Sequence, residues 1–280
     1  MNIWQFRWAY FVLLIIALLT YYQIPMRYYI PKHAKTHREK ALVIAKYCAI
    51  AFFGISLFFT VLFKWINPSV TPLMLMRGIE TGSGTIQKTW VPINKISQNM
   101  IYAVLAGEDQ KFLDHFGFDI DALANAVETN IIEGKKSVGG STISQQTAKN
   151  VFLWPGRSYI RKAFEVYYTL LMETIRGKER ILEVYLNVAE FGTNLYGVEA
   201  AAQKYFHTSA SKLTTYQASV LVAILPNPRY YEDHLKDWDV LRRKAAITRA
   251  TSRVQSDRDN RTFVKEIKKT IPKKTTTKKK

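Results

Sequence analysis

The chain has 280 residues, 48% of them hydrophobic, which is enough for one substantial domain together with membrane segments. Forty Lys and Arg against 22 Asp and Glu give a net charge of +18, which implies anionic partners. The single cysteine, Cys48, sits in an apolar run and excludes both an intramolecular disulfide and a cysteine metal cluster.

Two apolar runs come first. Trp8 to Ile24 is short but nearly all apolar, with Trp4, Trp8, Tyr21 and Tyr22 as interface aromatics, so residues 1–24 read as a first membrane segment. A signal peptide is the rival, but the run lacks a clear small-residue cleavage site and has only Arg7 as a positive start. Leu42 to Phe63 is the stronger span, interrupted only by Lys46, whose stem can carry its ammonium to the headgroups. Between the runs, residues 25–41 hold Arg27, Lys32, Lys35, Arg38 and Lys40. The positive-inside rule then puts this loop in the cytoplasm and the chain after Phe63 outside. His33 and His37, four apart, read as juxtamembrane residues rather than metal ligands.

Residues 64–89 form a connector. Pro68, Pro72 and the glycines from Gly78 to Gly84 argue against a long helix, and short strands fit around Thr85 to Val91. Leu73, Met74, Leu75 and Met76 either touch the membrane or pack beneath the domain. Ser97 to Gly107, with Ile101, Val104 and Leu105, predicts a buried helix running into Glu108. Glu108 and Asp109 then stand at the end of an apolar helix, where desolvation raises a carboxylate toward the range of a general base. The plainer alternative is a solvated acidic pair. Gly107 leaves room beside it. Phe112, His115 and Phe116 fit a packed aromatic cluster, with His115 as a hydrogen-bonded structural residue. Asp119 is placed to cap a helix running through Ile132 on Leu123, Val127 and Ile131, and Glu133 to Ser137 reads as a mobile charged loop.

Gly139 and Gly140 free the backbone for close approach, and Ser141, Thr142, Ser144, Gln145 and Gln146 follow with only Ile143 apolar. As a helix start this run offers unpaired backbone N–H groups suited to a phosphate or a sugar. As an ordinary turn it is a glycine bend with a serine cap. No Gly-Lys-Ser ending follows, which excludes a nucleotide-binding P-loop. Tyr159 to Arg176 has Ile160, Phe164, Tyr167, Leu171 and Ile175 at helical spacing. Arg157, Arg161 and Glu165 are four apart and share a face if the helix extends back to Arg157. The alternative is a helix-surface ion pair worth roughly 0.2–0.5 kcal/mol.

Lys178 to Phe191, Val198 to Phe206 and Thr214 to Leu225 read as helices, the last stopped by Pro226 and Pro228. No alternation of strand and helix appears, so the class is mainly α. Beyond Trp238 the pattern turns basic. From Arg261 to the end nine Lys or Arg stand against one Glu, a charge of +8, and residues 241–280 read as a basic tail with a disordered end. That tail has no interleaved aromatics, which argues against nucleic acid as the anionic partner.

Four stretches, in this order, resemble the motifs of the peptidoglycan glycosyltransferase (transglycosylase) family, found as monofunctional enzymes and as the first domain of bifunctional penicillin-binding proteins. They are EDQKFLDHFG at Glu108 to Gly117, GGSTISQQ at Gly139 to Gln146, RKAFE at Arg161 to Glu165 and KERILEVYLN at Lys178 to Asn187. The likeness covers Trp90 to Tyr231 and implies a glycosyltransferase domain over residues 90–240. The implied fold is lysozyme-like and mainly α, with a smaller membrane-facing lobe, preceded by one or two transmembrane helices. Family members commonly have one such helix, so the first apolar run is a departure.

The resemblance implies roles. Glu108 matches the general base that deprotonates the acceptor sugar hydroxyl, and Glu165 the second carboxylate near the leaving group. Lys149 and Arg157 match positions that hold the donor's pyrophosphate. Ser141, Gln145 and Gln146 line the cleft, Arg161 and Lys162 form a basic pair, and Asp109 and His115 join the substrate-binding set. Glu183, Tyr185 and Asn187 support the fold. The implied substrates are lipid II and the growing glycan strand, and the implied place is the bacterial inner membrane with the domain facing the periplasm, among cell-wall synthesis proteins. A polyprenyl pyrophosphate leaves once its charge is neutralised and needs no general acid, whereas glycoside hydrolysis uses a carboxyl pair as acid and base or nucleophile. The chemistry requires no cofactor, and a divalent cation, Mg2+ or Mn2+, bridging Glu165 and the pyrophosphate is compatible with it. No transpeptidase segment follows, so the expectation is a monofunctional enzyme. The competing readings are a lysozyme-like hydrolase and a catalytically silent wall-synthesis scaffold.

Overall fold

The computed structural model describes residues 36–128 and 140–269, with the backbone alone at Val127. The run from Trp8 to Ile24, His33, the predicted helical positions Ile131 and Ile132, the charged loop 133–137, Gly139 and the last eleven residues of the basic tail lie outside the described residues. The chain divides into two compact units, one ending at Val70 and one beginning at Thr71.

The first unit holds helix α1 (His37–Trp65), opened by a capping box in which Thr36 Oγ1 accepts from Glu39 N and Glu39 Oε2 accepts from Thr36 N. Its 29 residues rise about 43 Å, enough to cross a bilayer, and it is apolar enough to do so. It contains the predicted span Leu42 to Phe63 whole. Its polar residues Ser56 and Thr60 donate to the carbonyls of Phe52 and Ser56, at 2.7 and 2.8 Å, so they carry no unpaired hydroxyl into an apolar setting.

The second unit is built on helix α3 (Gln98–Glu108). Ser97 caps it, and every residue from Met100 to Ala106 is buried. A helix apolar on all sides must be enclosed, and α9 (Thr215–Ile224) and α11 (Trp238–Ser256) enclose it. α9 is itself buried from Ala218 to Ile224 and opens on a Thr214–Gln217 capping box. A second layer joins α5 (Ile143–Phe152) to α6 (Tyr159–Arg176), α7 (Lys178–Val188) and α2 (Pro72–Glu80). The shorter elements are α4 (Ile120–Val127), α8 (Val198–Phe206), α10 (Pro228–Tyr231) and α12 (Arg258–Lys269). Three short strands, β1 (Gln87–Lys88), β2 (Glu190–Gly192) and β3 (Leu195–Tyr196), form one sheet in the order β1-β3-β2, parallel between β1 and β3 and antiparallel between β2 and β3.

Several boundaries differ from the sequence expectation. The helix predicted to Phe191 stops at Val188, and Phe191 lies in β2. The connector contains the nine-residue α2, on which Leu73 and Met74 are buried while Leu75 and Met76 are exposed. The largest difference is at the C-terminal end. Residues 238–256 and 258–269, assigned from charge largely to a basic tail, are helical, and Val240, Ile247, Ala250, Val254, Val264 and Ile267 join the core. Charge counting over a window missed an apolar stripe at helical spacing beneath the cations.

Gly107 also has a different use from the one its sequence position suggested. A Cβ there would lie 2.5 Å from Val222 Cγ1 on α9 and 3.1 Å from Ile247 Cγ1 on α11. The missing side chain lets three core helices meet. It does not open space for a ligand. Gly107→Ala should therefore destabilise the domain by about 1–3 kcal/mol through overpacking. Thermal unfolding of the purified variant checks this, and an unchanged midpoint would contradict the packing.

Candidate active site

Glu108 is the last residue of α3, and packing of that helix in the core carries its carboxylate into a largely dry position, 9% exposed. Gln146 on α5 donates to Oε2 at 2.7 Å, and Arg243 on α11 donates to Oε1 at 2.6 Å. The Gln146 amide is itself oriented, because its Oε1 accepts from the Tyr185 hydroxyl on α7 at 3.2 Å. Burial pushes the Glu108 carboxyl above its ordinary 4.5, while Arg243, Gln146 and Lys149 pull it back down. This is the desolvated carboxylate predicted from the sequence, rather than a solvated acidic pair.

Asp109 points elsewhere. Its Oδ2 accepts from Ile143 N at 3.0 Å at the start of α5, and its Oδ1 meets His115 Nε2 at 2.9 Å. Thr142 caps the same helix with Gln145 in a reciprocal capping box, and Thr142 Oγ1 donates to Gly117 O at 2.7 Å. The N–H groups of Thr142, Ile143 and Gln145 thus have protein partners. The expectation that these N–H groups are free for a phosphate is corrected at those three positions: a carboxylate of the chain already holds the favourable position for negative charge. Gln145 is buried and engaged in the cap, so it does not line an open cleft as the resemblance implied. Asp109 and His115 shape this turn. Phe112 packs edge-on to His115, whereas Phe116 is exposed and stands outside the expected cluster.

Glu165 is buried on α6. Arg161 Nη1 donates to its Oε2 at 2.6 Å, and Lys162 Nζ pairs with Oε1. The Arg161–Glu165 pair is therefore buried, not the surface pair of the alternative reading. Lys162 also approaches Ser141 Oγ at 3.5 Å, which joins the glycine-rich segment to the basic motif. Arg157 departs from the face expected for it. Ser158 is the N-cap of α6, so Arg157 lies before the helix, exposed, in the loop that precedes it.

Lys149 lies between the two carboxylates in electrostatic terms. Burial lowers its ammonium below the ordinary 10.5, opposed by the fields of Glu165, Glu190 and Glu108. Among the described residues it makes no hydrogen bond or ion pair, so its three donors are available to a ligand. The structure thus brings Glu108, Gln146, Lys149, Arg161, Lys162 and Glu165 into one neighbourhood.

Sequence reasoning missed Arg243, Glu190, Glu173 and Lys178. Glu173 accepts from Ser144 Oγ at 2.5 Å and Lys178 Nζ at 2.7 Å, and Lys178 also donates to His115 O, which ties α5, α6 and the first motif together. Lys178 opens the fourth motif, a signal that was present but assigned no contact. Arg243 stood in the presumed tail and carried no such signal. Asn187 exchanges hydrogen bonds with Val91 and Glu183 accepts from Ile93 N, the supporting roles expected of them.

The Transglycosylase family model matches residues 77–252. The chain is 50% identical over 197 residues to a biosynthetic peptidoglycan transglycosylase of Caulobacter vibrioides, covering 70% of this chain and 85% of that protein. Similar matches occur to proteins of the same name from Bdellovibrio bacteriovorus (45% over 215 residues, 75% and 86%) and Pasteurella multocida (47% over 194 residues, 68% and 78%).

Asp109 is bound through the start of α5, so Asp109→Ala should cost about 0.5–2 kcal/mol, as loss of a helix cap does. The expected outcome is a lowered unfolding midpoint, and an unchanged midpoint would show that the cap contributes nothing.

Proposed function

The chain belongs to the transglycosylase family, and on that footing we propose that it polymerises lipid II into glycan strands, transferring the donor sugar with inversion and releasing undecaprenyl pyrophosphate. Peptidoglycan transglycosylation is the activity of the enzyme. Glu108 takes the proton of the acceptor hydroxyl. The acceptor oxygen bonds to the anomeric carbon as the bond from that carbon to the pyrophosphate oxygen breaks, and an α-linked donor gives a β-linkage. The diphosphate departs beside Lys149, with Arg157, Arg161 and Lys162 adding positive charge, so no acid need protonate it.

The observation that carries this reading is the pairing of a desolvated carboxylate with an uncommitted ammonium, Glu108 and Lys149, each within the other's field. A hydrolase needs a second carboxyl positioned to donate a proton. Both oxygens of Glu165 instead accept from cations, an arrangement for holding charge in place. Each Glu165 oxygen already accepts from a cation, and no group of three His, Cys, Asp or Glu gathers among the described residues. A divalent cation would have to share these oxygens with Arg161 and Lys162, so in this reading charge neutralisation falls to the cations already present.

The setting follows from α1 and its flanking charge. With Arg38 and Lys40 at its start, together with Arg27, Lys32 and Lys35, the positive-inside rule puts that end in the cytoplasm and the catalytic domain on the outer face of the inner membrane, where lipid II and other cell-wall synthesis proteins meet it.

Incubation of the purified chain with labelled lipid II should yield polymer. Glu108→Gln should abolish polymer while lipid II binding stays within about twofold, since the isostere removes basicity and keeps shape. Turnover by that variant at the wild-type rate would remove Glu108 from the role of base. The pH profile should be a bell narrowed from both sides. Glu108 is raised, so its basic form is lost on acidification above the ordinary 4.5. Lys149 is lowered, so its charge is lost on alkalinisation below the ordinary 10.5. Lys149→Ala should weaken donor binding and flatten the alkaline limb, and unchanged donor affinity and rate would contradict its part.

A further inference from the structure

Glu108 and Arg243 are 135 residues apart in sequence and 2.6 Å apart in space. Their contact differs from a surface ion pair, which contributes little, because the carboxylate is 9% exposed and the guanidinium 37%. The inner part of Arg243 is enclosed, and its buried Nε has no hydrogen-bond partner among the described residues. The two oxygens of Glu108 are thereby fixed from opposite sides, Oε2 by Gln146 on α5 and Oε1 by Arg243 on α11.

The other groups facing this carboxylate cannot substitute. Lys149 on α5 acts on it through space without a hydrogen bond. Tyr185 on α7 donates to Gln146 rather than to Glu108. Asp109, next on the chain, is turned to Ile143 and His115. From α9 the apolar Val222 packs against neighbouring Gly107. Arg243 is the one cation in contact with Glu108 among the described residues.

We propose that Arg243 is a positioning residue for the transfer reaction, its guanidinium holding Oε1 of Glu108 so that the carboxylate keeps the orientation from which it accepts the proton of the acceptor hydroxyl. The inference rests on the reading of Glu108 as the base. A planar guanidinium directs its N–H groups along fixed lines, which a lysine ammonium does not. The contact also opposes the effect of burial, which by itself favours the protonated and therefore inactive form of the base.

The test compares the full chain with its R243Q and R243K variants in detergent micelles, measuring kcat and KM for labelled lipid II across pH. R243Q should move the acid limb upward by about one pH unit and lower kcat on that limb on the order of tenfold, with KM within about twofold and partial recovery at higher pH. R243K should keep the limb close to wild type and still lose kcat at unchanged KM, because it restores charge without the fork. An unmoved limb in R243Q, an equal loss at every pH, or a rise in KM at unchanged kcat would overturn the proposal, the last by making Arg243 a substrate contact. Thermal unfolding in the same micelles identifies a misfolded R243Q. In that case R243K alone decides, and wild-type kcat in R243K overturns the inference. Polymer from the wild type with these results overturns only the role of Arg243, whereas no polymer from the wild type removes the transfer reading itself.

Discussion

Burial of one carboxylate is the constraint on which the site depends. α3 is enclosed along nearly its whole length, and its last residue is Glu108, so the packing that stabilises the domain also removes water from this carboxylate. Isolated, such a charge would be expelled or protonated. It is retained because donors from α5 and α11 meet its two oxygens, and those helices pack against their neighbours through the same core. Gly107, one residue earlier, lets α9 and α11 approach closely enough for this to happen.

The rest of the polar interior follows a division between committed and uncommitted charge. Glu165 is tied to Arg161 and Lys162, Glu173 to Lys178, and Asp109 to the start of α5, so these carboxylates fix elements relative to one another. A buried charge with good partners maintains geometry more than it adds stability. Lys149 differs, since it feels three carboxylates and contacts none. An ammonium held in a partly dry place without a partner is suited to pair with an anionic group, and this contrast sets Lys149 apart from the cations already committed to carboxylates.

Much of the molecule was legible from pattern alone. The span in α1, helices α3 and α9, and the amphipathic α6 follow from apolar spacing, which acts over a few positions, whereas the start of α5 read equally as a helix start and as a glycine turn. The pairing of Arg161 with Glu165 is one helical turn and could be read in the same way. The C-terminal helices could not be separated from a tail by charge, because most of their cations, Arg243 and Lys268 excepted, face outward while a sparse stripe of Ile, Val and Ala faces the core.

From side-chain type and local spacing the sequence by itself offered Glu108 as a carboxylate at the end of an apolar helix and Arg161 with Glu165 on one face, whereas Lys149, and a pyrophosphate-binding role for Arg157, were marked by the family resemblance alone. The sequence also determined that one segment is apolar enough for a membrane, since length and hydropathy suffice for that. Only the tertiary structure decided that Asp109 closes a helix while its neighbour Glu108 faces Gln146 and Arg243, that the N–H groups of Ile143 and Gln145 are already taken, and that Arg157 stands outside the buried ion pair. It alone brought Arg243 to Glu108. Those outcomes depend on which buried polar groups find partners, and a partner 135 residues away is selected by packing of the whole core rather than by anything in the local chain.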